Sequence, residues 1–107
     1  MKVSNLFDAI PSKLDQELIE ILVENKDICI ERIVSKGHIS PASGWYDQAK
    51  NEWVIVLKGE AIIAFQDSAE LRLTAGNYIN IPAHTKHRVS WTDPENETVW
   101  LAVHYPS

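Results

Sequence analysis

Residues 13–24 place Leu14, Leu18, Ile21 and Leu22 at the i, i+4, i+7 and i+8 spacing of one helical face. Asp15, Glu17, Glu20 and Glu24 fill the polar side, and Pro11 and Ser12 precede the run. Ser12 with Asp15 resembles a weak capping box, and Asn25 is a stop signal. The spacing predicts one short N-terminal α-helix over about 13–25, with a solvated acidic face. Beyond Asn25 the period changes to two. Ile28, Ile30, Arg32 and Val34 alternate with Cys29, Glu31 and Ile33. Residues 52–58, 60–66, 69–74, 77–82, 86–92 and 97–105 are short runs rich in Val, Ile, Trp, Tyr and Thr. Lys58-Gly59, Gln66-Asp67-Ser68, Ala75-Gly76, Pro82 to Lys86 and Thr92 to Asn96 punctuate them. Short strands with regular turn signals predict a sandwich or barrel over about 28–105. The expected fold class is mainly β with the one helix, as a single domain over 1–107. The run Trp53-Val54-Ile55-Val56-Leu57 is apolar at both parities, whereas a strand with one wet face should alternate. One of its faces meets the barrel interior. The other needs cover from the helix, the N-terminal segment or a second copy of the chain.

Composition narrows the function classes. At 107 residues with 45% hydrophobic and 23% charged, the chain reads as one ordinary globular domain. The formal net charge of −5 argues against general binding to nucleic acid or anionic membranes, which needs a basic face. No apolar run reaches bilayer length, and the first residues do not read as a secretory signal. Cys29 is the single cysteine, so no internal disulfide forms; between Ile28 and Ile30 it reads as a small core residue. These features predict a cytoplasmic protein. Nucleophile elbows, phosphate-binding glycine loops and dinucleotide fingerprints do not occur in the sequence.

The candidate chemistry gathers late in the chain. The histidines are His38, His84, His87 and His104. In Pro82-Ala83-His84-Thr85-Lys86-His87-Arg88-Val89 a proline-initiated turn delivers His87 to the start of a strand, where it shares a face with Val89 and Trp91. By itself that is also the pattern of a core histidine bonded to a carbonyl. On the last strand Trp100, Ala102 and His104 share one face, and Val99, Leu101, Val103 and Tyr105 the other.

Gly76, five residues, Pro82, one residue, His84, two residues, His87 closely resembles the second motif of the cupins, with His84 in place of the inner glycine. Glu52, six residues, Gly59 resembles the end of the first cupin motif. The blocks Trp45-Tyr46-Asp47-Gln48, Glu52-Trp53-Val54, Pro82-Ala83-His84, His87-Arg88-Val89 and Trp100 to His104 are similar to a subgroup of small single-domain bacterial cupins. The resemblance implies a double-stranded β-helix barrel related to the jelly roll. It implies a divalent metal (iron, manganese or zinc) with Glu52 and His87 among its ligands. The two first-motif histidines are missing: their positions fall on Tyr46 and Gln48 in one register, or Trp45 and Asp47 in the other. Asp47, Gln48 and His104 are therefore the candidates to complete a ligand set, and His84 is expected at the mouth. If His87 faces inward, as the resemblance implies, Trp91 follows by parity, and on the last strand Trp100 goes with His104; with Tyr46 these are expected to line a cavity in which a small molecule binds.

Three functions remain open at this stage. One is a metal-dependent enzyme of dioxygenase, isomerase or decarboxylase type. Another is a module that binds a small ligand without turnover. The third is a metal-free dimeric interaction domain. The two-sided Trp53–Leu57 strand and the cupin resemblance both lead to an expected homodimer, with no nucleic-acid or membrane partner.

Overall fold

A computed structural model describes residues 1–41 and 44–107. Its strands are β1 (Leu18–Glu24), β2 (Cys29–Ser35), β3 (Asn51–Lys58), β4 (Glu60–Phe65), β5 (Ser68–Thr74), β6 (Tyr78–Ile81), β7 (His87–Thr92) and β8 (Thr98–Tyr105). A five-stranded sheet has the order β1-β2-β8-β3-β6, and a three-stranded sheet the order β5-β4-β7. All neighbours are antiparallel. The architecture is mainly β and of jelly-roll type, as the short punctuated strands predict.

The N-terminal helix expected over 13–25 does not form; among the described residues there is no helix. The same segment holds a second pattern, in which β-branched Ile19, Ile21 and Val23 alternate with Glu20, Leu22 and Glu24. That period of two prevails because β2 is available as a ladder partner, from Leu18 opposite Val34 to Glu24 opposite Cys29. A bulge at Leu22 interrupts the register. Arg32 fixes the arrangement. Its guanidinium is buried, pairs with Glu20, and donates to the carbonyls of Leu6 at 3.0 Å and Asp8 at 2.6 Å. A buried cation needs such partners, and here they tie both β1 and the N-terminal segment to β2.

Antiparallel partners share a face, so register assigns the interior. Ile19, Ile33, Trp100 and Val56 form one row across the large sheet, and Ile81, Glu52 and His104 form another. The core joins Val54, Val56, Ala61, Ile63, Leu73, Ile81, Trp100 and Ala102 from both sheets. The opposite parity of β3 carries Trp53, Ile55 and Leu57 on the outside, half-buried, with the Trp53 ring 5.4 Å from that of Tyr78. Gly59 turns the chain from one sheet to the other. Its φ is +91°, and a Cβ there would stand 2.6 Å from the Glu97 carbonyl oxygen and the Thr98 Cα. Thr98 Oγ1 closes this corner by accepting from the Glu60 amide at 3.2 Å and donating to the Glu60 carbonyl at 3.1 Å.

Candidate functional site

Between the sheets lies a cavity of about 460 Å³ whose apolar walls include Ile33, Val54, Ile63, Ile81, Val89 and Trp100. Polar side chains reach it from both sheets and from the segments that flank them. Glu52 (β3) and His104 (β8) are cross-strand partners and share the interior face. Glu31 (β2) pairs in register with Ala102 and therefore shares that face too. His87 enters from the opposite sheet, at the start of β7. Tyr46 and Gln48 arrive on an irregular segment that docks on β7 and the turn before it. The Tyr46 amide donates to the His87 carbonyl at 2.8 Å, the His87 amide to Tyr46 at 3.2 Å, and the His84 amide to Gln48 at 2.8 Å.

His87 is the best-held of these groups. Its Nδ1 lies 2.8 Å from the Thr85 carbonyl oxygen, so that nitrogen carries a proton and donates. Its Nε2 lies 3.5 Å from Glu52 Oε1. The Tyr46 and Phe65 rings stand 5.7 Å and 6.2 Å from the imidazole. Burial pulls the His87 pKa down, but the Glu52 carboxylate and the Thr85 carbonyl outweigh it and hold the value above that of an ordinary histidine. A second pair sits on the same cavity wall, with His104 Nε2 2.9 Å from Glu31 Oε1. Trp100 is 3% exposed, and its indole Nε1 has no hydrogen-bond partner.

Glu52, His87, His104, Gln48, Tyr46 and Trp100 all line this cavity. Asp47 and Trp91, also expected there, do not. On the Tyr46–Gln48 segment alternate side chains point opposite ways, so Asp47 faces outward, where its Oδ1 meets His84 Nδ1 at 2.7 Å. Trp91 is displaced by a bulge. β7 pairs Val89 with Ile63 but Trp91 with Ile62, which leaves Ser90 as the extra residue. Ser90 flips the parity, so Val89 stays on the cavity and Trp91 turns out beneath the Arg72 guanidinium, 5.5 Å from the ring centroid. Sequence reasoning missed Glu31, His38, Ser40, Asp15 and Glu17 as cavity residues. For Glu31 a signal exists: it is a carboxylate of the same parity as Ile33 within an apolar strand.

The donors do not fit the divalent ion that the resemblance implies. Glu52 and His87 meet, but His104 is engaged by Glu31 and Asp47 by His84. Among the described residues, no three histidine, cysteine, aspartate or glutamate side chains gather closely enough to hold an ion. Two acid–imidazole pairs in one apolar cavity are the arrangement present.

Comparisons with known proteins agree with this fold. The family described as Cupin domain matches residues 33–104. A search of curated proteins gives no match. A Ralstonia eutropha protein provisionally named a mannose-6-phosphate isomerase is 42% identical, with a TM-score of 0.95 and 100% of each chain covered. A conserved Streptococcus pyogenes protein of unknown function is 25% identical at a TM-score of 0.77, over 99% of this chain and 88% of that one. An RmlC-like cupin from Desulfovibrio desulfuricans shares the fold at 20% identity and a TM-score of 0.75, covering 100% of this chain and 99% of that one. No helix among the described residues is long and apolar enough to cross a membrane.

Proposed function

The chain belongs to the cupin family, and from that premise we propose that its barrel is a small-molecule site of isomerase type, with Glu52 and His87 as the proton-transfer pair. One observation carries this reading. A carboxylate and an imidazole whose pKa is raised stand 3.5 Å apart, both largely buried, on the wall of a cavity of small-molecule size. Aldose–ketose interconversion needs a base at the carbon beside a carbonyl and an acid at the carbonyl oxygen. Glu52 takes the proton from that carbon, the C–H electron pair becomes a C=C bond, and the carbonyl π pair moves to oxygen. His87, fixed by Thr85 at Nδ1, supplies the proton to that oxygen from Nε2. Glu52 then returns the proton to the former carbonyl carbon, which takes the C=C pair, while His87 Nε2 recovers a proton from the neighbouring hydroxyl, whose oxygen becomes the new carbonyl; both groups end as they began. The name of the Ralstonia relative favours this class over the other cupin chemistries. The proton transfers are assigned to side chains alone, because among the described residues only two donors, Glu52 and His87, meet.

Deuterium wash-in tests the proposal. A panel of aldoses, ketoses and their phosphates is incubated with the protein in D₂O, and label at the carbon beside the carbonyl is followed by NMR. Wild type should exchange at least one compound, and Glu52→Gln should lose about 10²-fold or more. Binding without wash-in would reduce the barrel to a ligand-binding module. Exchange unchanged in Glu52→Gln would remove Glu52 from the base role.

A further inference from the structure

The charge of the cavity specifies its ligand further. This step rests on the reading of the cavity as the ligand site. Asp15, Glu17, Glu31 and Glu52 line it, and among its described lining residues there is no lysine or arginine. Its only ionisable cations are the imidazoles of His38, His87 and His104, so with all three protonated the carboxylates still outnumber them by four to three. The chain's arginines are used elsewhere: Arg32 by Glu20 on the outer face, Arg72 by Glu60, and Arg88 against the Trp45 ring. The described residues contain no helix, so no helix N-terminus points amides into the cavity. Among the described residues, the buried side-chain polar atom on its wall without a partner is Trp100 Nε1, a neutral donor.

We propose that the cavity accepts uncharged or cationic compounds and excludes anions, so that its ligand is not a phosphate ester or a carboxylate. A phosphate is recognised above all by bidentate arginine or by lysine, and neither lines this site among the described residues. An anion would add to a lining in which, even with Glu52 and Glu31 paired to His87 and His104, carboxylates exceed imidazoles, so negative charge is opposed. An ammonium group meets the opposite situation, with carboxylates beside it and the Tyr46 and Trp100 rings as walls. The inference separates this chain from what its 42% identical relative's name specifies, since that name denotes a sugar phosphate.

A charge-matched series on protein labelled with ¹⁵N-tryptophan provides the test, read at the Trp100 indole resonance and assigned with Trp100→Phe. The probes are benzylamine, benzyl alcohol and benzoate, together with mannose 6-phosphate. Benzylamine and benzyl alcohol should shift the resonance. Benzoate and mannose 6-phosphate should bind about tenfold more weakly or not at all. Glu31→Gln should narrow the gap between benzyl alcohol and benzoate. If benzoate binds as tightly as benzyl alcohol, or mannose 6-phosphate binds as tightly as either uncharged or cationic probe, the exclusion of anions is overturned while the ligand site stands. If no probe moves Trp100, the ligand-site reading itself falls, and this inference falls with it.

Discussion

His87 faces two acceptors at once, the Thr85 carbonyl at Nδ1 and the Glu52 carboxylate at Nε2. Both favour the imidazolium, and together they outweigh its burial. The consequence for stability has a definite sign. A group whose folded pKa lies above its unfolded value, near 6.5 for histidine, stabilises fully below the unfolded value. That contribution is lost as pH rises through the folded pKa. The melting temperature of wild type should therefore fall relative to His87→Gln as pH is raised from about 6 towards 8. A pH-independent difference between the two proteins would show that His87 does not titrate in that window. The same pair bears on metal. With two donors meeting and His104 held by Glu31, iron, manganese and zinc should each bind below one equivalent per chain, and His87→Ala should change this little. A stoichiometric ion lost on His87→Ala would show that a third side chain turns in to complete a centre.

At the scale of elements, the strand pattern from β2 onward was legible because Val, Ile and Trp runs stand between strong turn residues, as at Lys58-Gly59 and Ala75-Gly76. The first element was misread because residues 14–22 satisfy a helical and a strand period together. Only the ladder with β2, which Leu18 and Ile19 join, decides between them. The site was legible in part: the resemblance to the first cupin motif pointed to Glu52, and parity put Trp100 and His104 on one face, which the structure turns to the cavity. Parity failed at Ser90, since one inserted residue in β7 reverses Trp91 and leaves no trace in composition. Glu31 was missed for a different reason, as its role appears only when β2 and β8 are placed side by side. The corner between β3 and β4 makes a sharper claim. Gly59→Ala requires a positive φ of a residue with a Cβ and sets that atom 2.6 Å from backbone of the Glu97–Thr98 segment. It should destabilise by about 2–4 kcal/mol in chemical denaturation. Gly76→Ala meets nothing within 4 Å at a similar φ and should cost less, which isolates the contribution of the close approach. Equal losses at the two sites would assign the whole effect to φ.

At the scale of the molecule, the unanswered demand is cover for β1. It is the edge of the five-stranded sheet, and Ile19, Ile21, Leu22 and Val23 on it are each between 44% and 58% exposed. An unprotected edge of this length and apolarity is an aggregation hazard that folded proteins pair, bend or charge. The Leu22 bulge bends it, and Glu20 is spent on Arg32, so charge protection rests on Glu24 at its end. The N-terminal segment is tied to β2 by Arg32, yet it leaves these four side chains exposed. The expectation of a homodimer was drawn from Trp53 to Leu57, but those side chains are already half-buried within the chain. The stronger motive is β1, and we expect a second copy to pair there about a two-fold axis, since a self-complementary patch closes a dimer without leaving a further edge. Light scattering should give twice the 12.1 kDa chain mass at micromolar concentration. Leu22→Lys with Val23→Lys should return a monomer that keeps its β-sheet circular dichroism, because neither side chain is buried in the single chain. A wild-type monomer at every concentration would remove the dimer. A dimer untouched by the two lysines would move the interface to the outer face of β3 and β6, around Trp53 and Tyr78.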